Sequence, residues 1–210
     1  MNIVKVATKI NIAKFSQNIQ FSYLTEEEMN RLIYSYQSHM EKAKNQRNRY
    51  KQRWRQFIIF LTAKETGARI GEILLIRDDT DIDFRDNSIR IKTLKQKKDK
   101  VRTVFISDKL IAEISRFLME YPELRGKLFQ ISKRTVQKYF SDMCKKANIP
   151  PEKSHIHILR HTRAIELIKH NVPLHHVKAL LGHSSILTTS VYLNVYQKEL
   201  KEILQERNLL

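Results

Sequence analysis

Five side chains scattered along this chain could together break and remake a phosphodiester. Arg69 lies in Thr66-Gly67-Ala68-Arg69-Ile70-Gly71-Glu72. His157 and Arg160 share the run His157-Ile158-Leu159-Arg160-His161. His183 follows Leu181-Gly182, and Tyr192 ends Thr188-Thr189-Ser190-Val191-Tyr192. In-line attack on such an ester spreads charge over the non-bridging oxygens. It also needs a nucleophile that gives up a proton and an acid that supplies one to the leaving oxygen. Arginine suits the first task, because its planar fork holds two phosphate oxygens at once and stays charged. Arg69 and Arg160 are therefore read as two clamps. Three residues apart, His157 and Arg160 fall on neighbouring positions of a helical turn, where both could meet one phosphate. A free tyrosine titrates near a pKa of about 10, so Tyr192 needs those cations or a nearby base to become reactive.

Each signal is weak alone. His-x-x-Arg pairs arise by chance in many helices, and Tyr196, one helical turn after Tyr192, lies on the same face as a rival nucleophile. His161, His170, His175 and His176 read as surface or DNA-adjacent groups. Zinc on His175-His176 or on His155-x-His157 would lack the carboxylate or thiol that completes a four-ligand set, so no metal and no cofactor is expected. Glu72 reads as a group that holds the arginine segment in place rather than one that reacts.

Composition narrows the partner. Lys and Arg number 39 against 22 Asp and Glu, a formal charge of +17, with a pI near 10.0. A surplus of that size points to a polyanion, of which nucleic acid is the commonest. The longest apolar runs, such as Phe57-Ile58-Ile59-Phe60-Leu61, fall far short of the roughly 20 residues a spanning helix needs. The first 20 residues carry no continuous apolar stretch ahead of a cleavage site. The single cysteine, Cys144, excludes an intrachain disulfide and reads as a small core thiol. A soluble, cytoplasmic, nucleoid-associated protein is expected, with no membrane partner.

The elements that must position these residues are legible in outline. Thr25-Glu26-Glu27-Glu28 is a capping box that opens a helix through about residue 36. A second helix is expected over residues 46–66, basic in its first half (Arg47, Arg49, Lys51, Arg53, Arg55) and apolar in its second. Gly67 stops it, and residues 70–76 read as a short third helix. The period then changes to two: Ile89, Ile91 and Thr93 alternate with Ser88, Arg90 and Lys92. Residues 101–106 are β-branched or aromatic except for Arg102. Two strands joined by the lysine-rich stretch 95–100 make a β-hairpin. Helices return over residues 107–121 and 132–147, and Pro150-Pro151 breaks the chain. Pro173 suits the first turn of a helix that Gly182 ends, and Ser184 can cap the next. The expected fold is α+β and mainly helical with a small antiparallel sheet. An N-terminal arm or linker over residues 1–20 would precede a single domain over residues 21–210.

The ordered set of Arg69, His157-x-x-Arg160, Gly182-His183 and Tyr192 resembles the signature of the tyrosine recombinases, or phage-type integrases, and the likeness runs from Tyr23 to about Ile203. The nine-residue step from His183 to Tyr192 matches that family and, with Thr188-Thr189, favours Tyr192 over Tyr196. The resemblance implies that His157 assists as acid or base and that His183 contacts the phosphate. It implies that a hairpin lysine protonates the leaving 5′ oxygen. Lys95 is preferred because it stands where the first strand runs out, with Lys97 the runner-up. Arg47, Arg49 and Arg53 on the basic helix, with Lys97, Lys98 and Lys100 on the hairpin, are read as contacts to double-stranded DNA. The implied activity is site-specific recombination through a 3′-phosphotyrosyl intermediate, with a homotetramer on paired DNA sites. The alternatives are a DNA-binding regulator that kept the fold but lost recombination, and a type IB topoisomerase-like relaxase. Departures from the family pattern are Ala68 and Gly71, where Leu and Ser are usual, and the absence of a proline in residues 102–106. Many members also carry a helical core-binding domain ahead of this region, where only residues 1–20 stand here. The short fimbrial invertases lack it too.

Overall fold

The computed structural model describes residues 22–94 and 100–182, with Lys201, Leu204, Gln205 and Leu209 towards the C-terminus. The described chain is mainly helical, with one three-stranded antiparallel sheet. Helix α1 (Glu26–Glu41) starts at the expected capping box: Thr25 Oγ1 accepts from the Glu28 amide while the Glu28 carboxylate accepts from the Thr25 amide. It continues past residue 36 because Tyr36, still on the inward face, stacks on Phe60 with ring centroids 4.4 Å apart.

Helix α2 (Arg47–Thr66) is the central strut. Phe57, Ile58, Ile59 and Phe60 are all buried, four consecutive positions that reach round the helix, and α1, α4 (Asp108–Glu120), α5 (Lys133–Lys146) and α6 (Ile158–Lys169) pack around it. Thr62 and Thr66 satisfy their buried hydroxyls on the Ile58 and Thr62 carbonyls. Gly67 ends the helix in the left-handed region at φ 60°. Helix α3 (Ile70–Ile73) is shorter than the expected 70–76. The chain leaves it so that Asp78 can bury its carboxylate, which accepts from the Gly126 amide at 2.8 Å and the Leu128 amide at 3.0 Å.

The sheet runs in the order β1 (Ile82–Asp83), β2 (Ser88–Thr93), β3 (Lys100–Phe105). Ile82 pairs with Ile89, Ile89 with Val104, Ile91 with Arg102, and Thr93 with Lys100. The two-residue β1 was not anticipated, being too short to show a period. Ile89, Ile91, Thr93 and Val104 form the buried face, and Lys92, Val101, Thr103 and Phe105 the exposed one. Helix α7 (Leu174–Leu181) follows Pro173, ends at Gly182 with φ 69°, and packs on both α6 and β3. Cys144 is buried as expected, and burial pushes its thiol up to about 12. Among the described residues no helix is long and apolar enough to cross a membrane.

Candidate active site

The arginine box is built where α2 gives way to α3. After the left-handed turn at Gly67 the chain runs extended through Arg69 (φ −67°, ψ 142°), which caps α3. Glu72, fully buried, reaches back to it. Glu72 Oε2 accepts from the Arg69 amide at 3.2 Å and Oε1 from Arg69 Nη1 at 3.0 Å. The expectation that Glu72 steadies this segment agrees with the geometry. Its carboxylate has a second cation, Arg102 from β3, whose Nη2 lies 2.7 Å from Oε2. Burial pushes the Glu72 carboxyl up, but the hydrogen bond and charge of Arg102, joined by Arg69, outweigh it and hold the group below the usual carboxylate range. The Arg69 side chain keeps 23% of its surface open, against 9% for Arg102. Arg69 is thus tethered yet reachable.

Arg160 approaches the same turn from the other side. Helix α6 carries it inward until only 2% is exposed, and its Nη1 donates to the Gly67 carbonyl at 2.9 Å. Two boxes 93 residues apart in sequence meet within one hydrogen bond. A substituent at Gly67 would intrude here: an added Cβ would lie 2.6 Å from Leu181 Cδ2 and 3.3 Å from the Arg163 side chain. His157 stands at the start of α6, exposed to solvent. One turn on, His161 meets it edge-on, with ring centroids 4.8 Å apart at 87°. Of the two readings of His161, surface or DNA-adjacent, full surface exposure does not hold. The residue is half-buried, and burial, with the charges of His157, His155 and Arg160 behind it, lowers it to about 4.

The structure therefore brings together Arg69, Arg160 and His157, and adds Arg102, which sequence reasoning passed over as the exception in a β-branched run. Strand parity held the clue: Arg102 shares its face with Val104 and pairs with Ile91, an inward position no arginine occupies without a partner. Lys95, Lys97, Lys98, His183, Tyr192 and the rival Tyr196 lie outside the described residues. Lys100 opens β3 and is exposed.

Arg47, Arg49 and Arg53 are not drawn to this site. They sit at the start of a 20-residue helix whose other end is Thr66, a span of about 30 Å. Arg47 lies over the Tyr121 ring, 5.9 Å from its centroid, and Arg49 is exposed. Arg53 donates to the His39 carbonyl, and its neighbour Arg55 serves the Leu128, Lys127 and Gln130 carbonyls. Among the described residues no group of three or more His, Cys, Asp or Glu side chains is arranged to hold a metal ion.

Arg69 closes the turn that starts at Gly67 and the buried Arg160 bonds the Gly67 carbonyl, with the exposed His157 one helical turn before it; guanidiniums so placed have the chemistry to balance charge on phosphodiester oxygens. Comparison with known proteins fits that chemistry. The model of the phage integrase family matches residues 22–199. A tyrosine recombinase of Thermosipho africanus is 32% identical over 182 residues, covering 84% of this chain and 58% of that protein. Tyrosine recombinase XerA of Pyrococcus furiosus is 30% identical over 169 residues, covering 76% and 57%. The chain thus spans a little over half the length of these relatives. Among solved structures, XerH recombinase in a post-cleavage complex with palindromic difH substrate superposes with a TM-score of 0.70 at 25% identity, covering 89% of this chain and 53% of that one. The catalytic domain of bacteriophage HP1 integrase, at 24% identity and a TM-score of 0.57, shares the fold over 83% of this chain and 88% of its own. A family match across most of the chain, with its arginine boxes meeting at one turn, makes this protein a member of the phage integrase family, the tyrosine recombinases.

Proposed function

We propose that this chain cuts and rejoins double-stranded DNA at specific sites through a covalent phosphotyrosyl intermediate, with Tyr192 as nucleophile. The observation that carries the reading is the hydrogen bond from Arg160 to the Gly67 carbonyl, which fixes a second guanidinium beside Arg69. A phosphate seated there has its non-bridging oxygens faced by two permanent cations, so charge building up in the transition state is balanced by groups already in place. The Tyr192 oxygen attacks phosphorus and passes its proton to His157, which acts as the base. The bond from phosphorus to the 5′ oxygen breaks, and that oxygen leaves as a hydroxyl with a proton from Lys95. The 3′-phosphotyrosyl ester keeps the bond energy, so a 5′-hydroxyl from a partner duplex can reverse the step. His157 and His183 assist at the phosphate. Action on paired sites implies several subunits working together, a homotetramer by family resemblance.

A nicked suicide duplex from DNA flanking the gene tests this, because loss of the short 5′ fragment traps the adduct. The wild-type chain should become covalently attached. Tyr192→Phe should still bind duplex and form no adduct, while Tyr196→Phe should form it normally. An adduct that survives in Tyr192→Phe and vanishes in Tyr196→Phe moves the nucleophile. A wild-type chain that binds but never attaches is a DNA-binding protein rather than a recombinase.

A further inference from the structure

Arg102 joins the site through Glu72, and it is tied to more than the arginine box. Its three donor nitrogens go to three different segments. Nη2 meets Glu72 Oε2 at 2.7 Å, Nη1 meets Thr93 Oγ1 at 2.9 Å, and Nε meets the Leu180 carbonyl at 2.8 Å. The guanidinium also lies against Gly182, where an added Cβ would stand 2.8 Å from Nη1 and 3.0 Å from Cζ. One planar group thus ties the arginine box, the first hairpin strand and the end of α7. Lysine would hold its three donors on one nitrogen, whereas these acceptors are met by three nitrogens spread across a rigid plane.

The charges at this junction do not cancel. Glu72 contributes one negative charge and is shared by two arginines, Arg69 and Arg102. The trio carries one net positive charge, and Arg69 is its more open member. We propose that Arg102 is a positioning residue which neutralises Glu72 so that the charge of Arg69 stays available to the DNA phosphate, while holding the Arg69 turn in register with β2 and α7. Without Arg102, Arg69 is the cation that remains paired with Glu72 among the described residues. The carboxylate then claims the clamp, and the pair presents no net charge to the substrate.

This inference rests on the recombinase reading for its effect on rate, and the test separates the two. Arg102→Gln, Glu72→Gln and the double variant are compared with the wild-type chain in adduct formation on the nicked duplex. Melting temperature and backbone amide exchange are followed in parallel. Arg102→Gln should slow adduct formation by about 100-fold, the scale of a small misplacement of a reacting group. Adding Glu72→Gln removes the competing carboxylate and should recover about tenfold of that loss, on the same scale. A residue that merely held the fold together would give a double variant slower than either single one, and that result overturns the proposal. So does Arg102→Gln cleaving at the wild-type rate. Should the wild-type chain form no adduct, the recombinase reading fails, and exchange decides the remainder. Arg102→Gln should then speed exchange together across residues 67–73 and 180–182 and leave α4 unchanged. Faster exchange confined to β3 would show that the three segments are not coupled through this side chain.

Discussion

His161 is the residue whose surroundings differ most from what its type suggests in the sequence. Burial, then the charges of His157, His155 and Arg160, lower it from 6.5 to about 4, and His39 is lowered to a similar value by burial and by Arg53, Lys146 and Lys42. Both groups fold in the neutral form. The unfolded chain takes up protons from about pH 6.5 downward while the folded chain does so only near pH 4. Their contribution to stability is therefore complete above pH 6.5 and drains away as pH falls towards 4. Glu28 and Glu72 are lowered carboxylates, so their contribution is lost below about 4.5. Thermal melting followed from pH 7.5 to pH 3.5 should show a fall in two stages. His161→Gln should make the upper stage shallower, leaving the share of His39, and should not alter the lower one; a wild-type profile that is flat between pH 6.5 and 4.5 would contradict this account.

At the scale of elements, the two glycines flanking Arg69 make opposite demands. Gly67 needs a positive φ and abuts Leu181 and Arg163, whereas Gly71 has ordinary helical geometry and, among the described residues, only Leu94 Cδ1 nearby, 3.3 Å from an added Cβ. Gly67→Ala should cost about 1–3 kcal/mol, the range for a non-glycine forced into such a conformation. It should also slow adduct formation, since the Arg160 hydrogen bond lands on that peptide. Gly71→Ala should be near neutral in urea unfolding; equal losses at both positions would mean that backbone conformation is not the cause. Local rules made most of these elements readable. The capping box at Thr25 and Glu28, Gly67 and Gly182 as helix stops, and the period-two run through Ile89 and Ile91 each signal through near neighbours. What stayed hidden is set by distant partners: the early end of α3 depends on Asp78 reaching Gly126 and Leu128, and Arg102 depends on Glu72 and Leu180. The arginine boxes were legible as motifs, but no pattern within either box reveals that they share the Gly67 carbonyl.

For the whole molecule, +17 overstates the charge available to DNA. Arg53 and Arg55 are spent on carbonyls inside the chain, and the exposed Arg49 is most of the length of α2 away from Arg69. Duplex affinity should still fall with salt at a slope of about −0.9 per phosphate contact. Arg55→Gln should leave that slope unchanged while costing roughly 2 kcal/mol of stability, the scale of lost hydrogen bonds from a charged donor. Lys100→Gln should make the slope shallower by about 0.9 without altering melting. A salt slope that responds to Arg55 and not to Lys100 would relocate the DNA to the far end of α2. Closure across the chain has a further consequence, for the order of synthesis. The Leu24 amide is satisfied by Thr162, Glu28 by Lys153, and the Arg69 turn by Arg160. A chain still on the ribosome with only its first two-thirds emerged has its first clamp but not the second, and its first helix lacks its ties to the later chain. On the proposed function, the second clamp is added only once Arg160 has been made and packed on the Gly67 turn, so a chain short of it could meet DNA but not balance the charge of cleavage.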